Sequence, residues 1–236
     1  MYGILTRGSL DAGPVSGHNS VMNLIGLLFQ EPLLFVVIVG ALLFTLSIHE
    51  FAHAYVGYRL GDPTAKNMGR LTVNPLAHID PFGFLMILIV GFGYARPVPF
   101  NPFLLKYPKW GPALVAAAGP ASNLVLGIFC SLIYGLLVPQ LGVNNLLIVA
   151  LFFLGQINFA LMFFNLIPLP PLDGSKALLA VSSGSKYAQA RRLLETQGPT
   201  LLIGLILLDI VFNIGVFSWI FGLTSGFFTF FSRLFS

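Results

Sequence analysis

Residues 33–58 read LLFVVIVGALLFTLSIHEFAHAYVGY, an apolar run that passes without a break into His49-Glu50-Phe51-Ala52-His53. A bilayer-crossing helix needs about 20 apolar residues at 1.5 Å each, so this stretch predicts a transmembrane span with charge at one end. Each ionisable group at membrane depth costs a few kcal/mol, and three within five residues call for a compensating partner. Positions i and i+4 lie one above the other on a helix face. The His49 and His53 imidazoles can therefore grip one metal ion, with Glu50 beside it as a base toward water. With 4 His and 3 Glu in 236 residues, such a pattern arises by chance in roughly one chain in a thousand. The plainer reading, two packed histidines hydrogen-bonded to neighbouring spans, leaves the spacing to coincidence.

The rest of the chain agrees on the solvent. Charged residues are 8% of the total and hydrophobic ones 56%, against about 25% charged in a soluble domain. That charge is too sparse to coat a soluble surface. The 25 Gly and 16 Pro punctuate long apolar runs and form no low-complexity tract, which excludes disorder. A net charge of +4 gathers into no aromatic-interleaved patch, so no nucleic-acid partner is expected. Cys130 is the single cysteine; it forms no disulfide framework or CxxC site and reads as a packing residue. Residues 1–20 lack the pattern of a cleavable signal, so insertion is expected to be driven by the spans.

Four segments are long enough to span: 33–58, 111–138, 145–168 and 199–221. Residues 21–30 are too short and read as an interfacial helix. Residues 82–95, opened by Pro81 and closed by Pro97, fit a re-entrant or short-strand hairpin better than a crossing. If they do not cross, ten of the twelve basic residues fall on one side and only Arg7 and Arg233 on the other, as the positive-inside rule requires. The expected fold is thus an all-α polytopic membrane protein in the cell (inner) membrane with its N-terminus outside. Its expected regions are an N-terminal segment over 1–32, an embedded core over 33–222 and an aromatic interfacial segment over 223–236.

Catalytic zinc usually takes three protein ligands and leaves one position for water. Glu31 and Glu195 are poorly placed for the third; Asp209 and Asp173 lie at membrane depth. Asp173 ends NLIPLPPLD, whose prolines end the helix near Asn165 and force extended backbone. Such backbone is tolerated at membrane depth only where it lines a cavity or is buried in protein. Under the four-span topology Asp173 reaches the same face and similar depth as His49 and His53. Asp209 reads instead as satisfied by Asn213, four residues on.

The HEFAH helix, the Gly119-Pro-Ala-Ser-Asn123 element and NLIPLPPLDG occur in the order that resembles site-2 proteases, the zinc metalloproteases of peptidase family M50. The loop at 60–83 resembles the compact prokaryotic branch, and no segment is expected to form a PDZ or CBS domain. The resemblance implies one Zn2+ per chain held by His49, His53 and Asp173, Glu50 as general base, and Asn165 as an oxyanion donor or substrate-orienting amide. It implies single-span membrane protein substrates cut within the bilayer, with the active site toward the cytoplasm. A regulatory membrane partner, the 82–95 hairpin or the segment at 91–99 (GFGYARPVP) would gate substrates, by offering an edge strand to an unwound substrate. Asn123 matches a G-x-x-x-N element in which Gly119 permits close helix approach and the amide bonds to neighbouring backbone. His78, in the loop after the metal helix, is an accessory candidate against the plainer reading of a turn residue. The rival functions are a zinc or proton transporter built on the same cluster and a scaffold that keeps metal for stability.

Overall fold

The computed structural model of the chain describes residues 24–90, 93–182 and 188–234. His18 and residues 21–23 of the expected interfacial helix lie outside the described residues. The described part holds α1 (Leu24–Gln30), α2 (Pro32–Arg59), α3 (Thr64–Asn67), α4 (Pro75–His78) and α5 (Pro81–Val90) in its first half. A 3-10 turn at Pro102–Leu104 then leads to α6 (Gly111–Leu141), α7 (Leu146–Asn165), α8 (Gly174–Val181), α9 (Ala188–Phe212) and α10 (Val216–Ser232). There is no strand among the described residues. Four helices, α2, α6, α7 and α9, are long and apolar enough to cross a membrane. The chain is an all-α polytopic membrane protein.

Buried residues on α2 recur at three- and four-residue spacing: Ile38, Ala41, Thr45, His49, His53 and Gly57. This stripe faces the bundle while Val36, Phe44 and Tyr55 stay exposed, the outward apolar surface a lipid solvent requires. Between α2 and α7 the contact is polar, the Asn158 amide donating to Thr45 Oγ1 at 2.9 Å. Pro120 and Pro139 lie inside α6, and Pro120 can return no N–H to the carbonyl four residues back, which opens the turn there. Gly142 (φ 77) ends α6 and Asn145 caps α7 by accepting from Leu147 N–H.

The described limbs of the 82–95 segment lie side by side. α5 enters from the His78 end and packs Ile87 with Leu24 and Ile38 into a small core. The chain then returns extended, with Gly83 and Gly93 in such close approach that a Cβ on either would strike the other limb. One limb is helix and the other extended backbone, so a strand pair does not form there.

The C-terminal part differs from the expected span at 199–221. Asn213 (φ 50) and Gly215 (φ 90) take the left-handed conformation and split the apolar run into α9 and α10. Phe217, at the start of α10, stacks on Phe164 at the end of α7 with ring centroids 6.3 Å apart. Near the other end, Gly135 of α6 lies against the Ser232 carbonyl. The helix beside α6 and α7 is therefore α10, running parallel to α6 from the Asp173 end of the bundle. The aromatic tail expected over 223–236 is largely this helix: Phe228 is buried against Tyr134 and Phe152, at 5.0 and 5.3 Å. Phe221 and Phe230 remain exposed as expected. The Asp209 carboxylate accepts the N–H groups of Val216 (2.7 Å) and Phe217 (3.3 Å). It caps α10, and Asn213 serves the turn instead of pairing with it.

Candidate metal centre

α2 carries His49 and His53 into the bundle one turn apart, and the proline-broken chain after α7 brings Asp173 to them. His49 Nε2 and His53 Nε2 are 3.0 Å apart, and Asp173 Oδ2 lies 3.2 Å from each. Among the described residues these three form the group of His, Cys, Asp and Glu able to hold a metal ion.

Hydrogen bonding fixes which atoms face the centre. His53 Nδ1 lies 2.7 Å from the Val115 carbonyl, which can only accept, so Nδ1 carries a proton and, in the neutral ring that ligates a metal, Nε2 presents a lone pair. His49 Nδ1 lies 3.0 Å from the Asn123 amide nitrogen, while Asn123 Oδ1 is buried without a partner. Amide oxygen and nitrogen are interchangeable by assignment. Exchanging them lets Oδ1 accept from His49 Nδ1–H and gives His49 the same tautomer. The amide thus bonds the imidazole, where a bond to neighbouring backbone was expected.

Two imidazole lone pairs and the unsatisfied Asp173 Oδ2 then converge on one point, an arrangement that repels itself unless a cation joins it. A tetrahedral ion with bonds of 2.0–2.1 Å sets its ligand atoms about 3.3–3.4 Å apart, within a few tenths of an ångström of the spacings here. The donors fit zinc. Gly119 makes the space: a Cβ there would land on the Nε2 atoms of both histidines.

Glu50 is 8% exposed, and its Oε2 accepts the Val98 N–H at 3.0 Å. The segment around Val98 is tied to the 60–80 loop. Arg96 N–H donates to the His78 carbonyl at 2.9 Å, and Arg70 Nη2 donates to the carbonyls of Arg96 and Pro97. Asp62 Oδ2 accepts Asn101 N–H at 2.6 Å. Burial works against the Asp62 carboxylate, but donors on Thr64 and Asn101 outweigh it and hold its pKa below the ordinary value.

His78 stands outside the three-residue group. It is 2% exposed, its Nε2–H donates to the Thr72 carbonyl at 2.7 Å, and its Nδ1 is buried with no hydrogen-bond partner. Asn165 ends α7 half-buried, its amide donating to Leu161 O at 3.1 Å. Sequence reasoning missed Arg70 and Asp62, and it read Val98 only as part of a substrate-binding edge at 91–99, not as a donor to Glu50. Only the proline-flanked Arg96-Pro97-Val98-Pro99 run signals a backbone with a single free N–H.

Fold and site together define a helical membrane protein with a buried His-His-Asp group next to a glutamate, the equipment of a metallopeptidase. Residues 139–208, which include Asn165 and Asp173, match the model of peptidase family M50. YwhC of Bacillus subtilis, which carries the name of a zinc metalloprotease, is 45% identical over 150 residues, 60% of this chain and 67% of that protein. Rip2 of Mycolicibacterium smegmatis, similarly named, is 32% identical over 154 residues, covering 61% of this chain and 56% of Rip2. The Rip2 of Mycobacterium tuberculosis (strain Erdman) is 29% identical over 182 residues, 71% of this chain and 69% of its own length. The chain thus spans about two thirds of the first relative and little more than half of the second. No solved structure matches it. The chain belongs to peptidase family M50.

Proposed function

We propose that this protein is an intramembrane zinc metalloprotease. It hydrolyses a peptide bond in or near the transmembrane helix of single-span, membrane-anchored proteins, in regulated intramembrane proteolysis at the cell membrane. The observation that carries this reading is the convergence of His49 Nε2, His53 Nε2 and Asp173 Oδ2 at 3.0–3.2 Å beside a buried glutamate.

One ion per chain would be held by those three residues. Bound there, Zn2+ supplies a Lewis acid that polarises the scissile carbonyl and makes water a nucleophile at neutral pH. The Val115 carbonyl and the Asn123 amide hold the imidazoles in the ligating tautomer, since each fixes the proton on Nδ1. Glu50 takes the proton of the attacking water and returns it to the leaving amine. Its Oε2 is committed to Val98 N–H, which leaves Oε1 for that water. Asn165, at the end of α7 where the proline-rich segment begins, would turn its amide to the developing oxyanion or to the substrate strand.

The substrate helix must unwind locally, because its carbonyls are otherwise hydrogen-bonded and shielded. Segments with Gly, Asn or Pro near the cut are therefore preferred over a poly-Leu helix. The clustering of basic residues on the loops at 59–109 supports a cytoplasmic position for the site. Gating belongs to the re-entrant 82–95 hairpin or to a membrane partner.

The test incubates wild type and Glu50→Gln with a tagged single-span substrate and zinc, then with a chelator. The protease reading requires that Glu50→Gln keep zinc and lose cleavage, and that the chelator stop the wild type. Zinc or proton flux in vesicles with no cleavage would establish the transporter, and undiminished cleavage by Glu50→Gln would remove the base.

A further inference from the structure

Between Arg96 and Phe100 the backbone has one N–H to give, because Pro97 and Pro99 have none. That one, on Val98, goes to Glu50 Oε2. The residue before a proline is also held to extended conformations, so the sequence Arg96-Pro97-Val98-Pro99 builds a stiff strap with a single donor aimed sideways.

The strap is pinned by the loop that follows the HEFAH helix. The His78 carbonyl takes Arg96 N–H at 2.9 Å, and Asp62 takes Asn101 N–H at 2.6 Å. Between them Arg70, only 6% exposed, grips the carbonyls of Arg96 and Pro97 through Nη2. Charge-assisted bonds to two successive carbonyls locate the strap both along and across its length. A cation this deeply buried is not a solvated loop residue. Glu50 and Arg70 also sense each other: burial and Arg96 lower the Arg70 pKa, and the Glu50 charge acts in the opposite direction.

A carboxylate turns freely about its last torsion, which is broad and nearly two-fold. A base that must meet a water at hydrogen-bond distance gains from having one oxygen fixed. We propose that Arg70 and the Arg96–Pro99 strap are the positioning device for Glu50, committing Oε2 to Val98 N–H and leaving Oε1 for the attacking water. This rests on Glu50 being the base proposed above.

The experiment compares purified full-length Val98→Pro, Val98→Ala, Arg70→Met, Arg70→Lys and Glu50→Gln with wild type for kcat, KM, bound zinc and thermal stability. Val98→Pro removes the N–H and sets a ring carbon against Oε2 in its place, whereas Val98→Ala keeps the N–H and Arg70→Met loosens the strap without touching Glu50. Val98→Pro and Arg70→Met should lower kcat by about 10- to 100-fold, the scale on which misplacing a catalytic group acts, with zinc content unchanged and KM within about threefold. Val98→Ala should keep a kcat well above that of Val98→Pro, and Arg70→Lys should recover part of the loss. Wild-type kcat in Val98→Pro overturns the inference, and raised kcat does so by making the strap an inhibitory latch. Loss of zinc together with activity in both Val98→Pro and Arg70→Met assigns the strap a structural role and overturns it as well. An active Glu50→Gln defeats the base itself, whereas an inactive Glu50→Gln beside an active Val98→Pro defeats only the strap.

Discussion

Asp209 and Asp173 are acids in the same apolar protein, at the two ends of the chain that follows α7. Asp209 is 8% exposed, and its two oxygens accept the first N–H groups of α10, donors that every helix start leaves unpaired. Asp173 Oδ2 receives no hydrogen bond of good geometry and faces two imidazole nitrogens at 3.2 Å. A buried carboxylate whose lone pairs meet N–H groups is a cap. One whose lone pair meets other lone pairs is placed to share a cation with them. Asp209 is the more buried of the two, the Asp173 side chain being 19% exposed, so burial does not mark the metal site; the identity of the neighbouring atoms separates a structural acid from a candidate ligand.

Replacing each acid should break the comparison or sharpen it. Asp173→Ala removes one ligand of three, so bound zinc by metal analysis should fall to background and cleavage with it. Full zinc retention would place the third ligand elsewhere. Asn123→Ala leaves the three ligands intact but frees the His49 ring, and zinc affinity by competition with a chelator should drop about 10- to 100-fold. An unchanged affinity would show that helix packing alone orients His49.

Asp62 supplies a third kind of acid, buried in a loop and saturated by Thr64 and Asn101. Its folded pKa lies below its unfolded one, so its contribution is complete above about pH 4 and is lost as pH falls through the folded value. Asp62→Asn should therefore cost about 1–3 kcal/mol near neutral pH. The gap from wild type in thermal unfolding should shrink below about pH 4. A gap that persists in acid would assign it to packing. Smallest is Asp209→Ala, which should keep zinc and cleavage and cost about 1 kcal/mol, as loss of a helix cap does. Loss of zinc there would erase the distinction between the two acids.

The first span, the HEFAH motif and the pairing of the two limbs of 82–95 are legible in the sequence because each rests on a local property: apolar length, helical spacing and proline punctuation. The meeting of His49 and His53 with Asp173 is legible too, through charge placement across the loops. The fourth span is legible in its existence but not in its bounds, Ala188–Phe212 against the expected 199–221. Residues 199–221 are apolar apart from Thr200, Asp209, Asn213 and Ser218, and hydropathy does not register that Asn213 and Gly215 take positive φ and turn the chain. Phe228 likewise reads as a lipid-facing ring until Gly155, against which it lies, shows the groove that holds it. The Val98–Glu50 bond joins residues 48 apart through a backbone N–H, a group that every residue but proline has and no motif marks.

The sequence by itself determined that this is a helical membrane protein, because too little charge remains to face water, and that His49, Glu50 and His53 share a helix face, because that follows from helical geometry. It also made Asp173 the acid nearest them, through the parity of the spans. Only the tertiary structure decided the rest: the imidazole tautomers, set by Val115 and Asn123; the cap role of Asp209, set by the turn at 213–215; and the strap over Glu50, set by Arg70 and Asp62. These depend on which carbonyl or N–H lies within about 3 Å of a side chain, and that distance is fixed by how helices and loops pack, not by the pattern within any one of them.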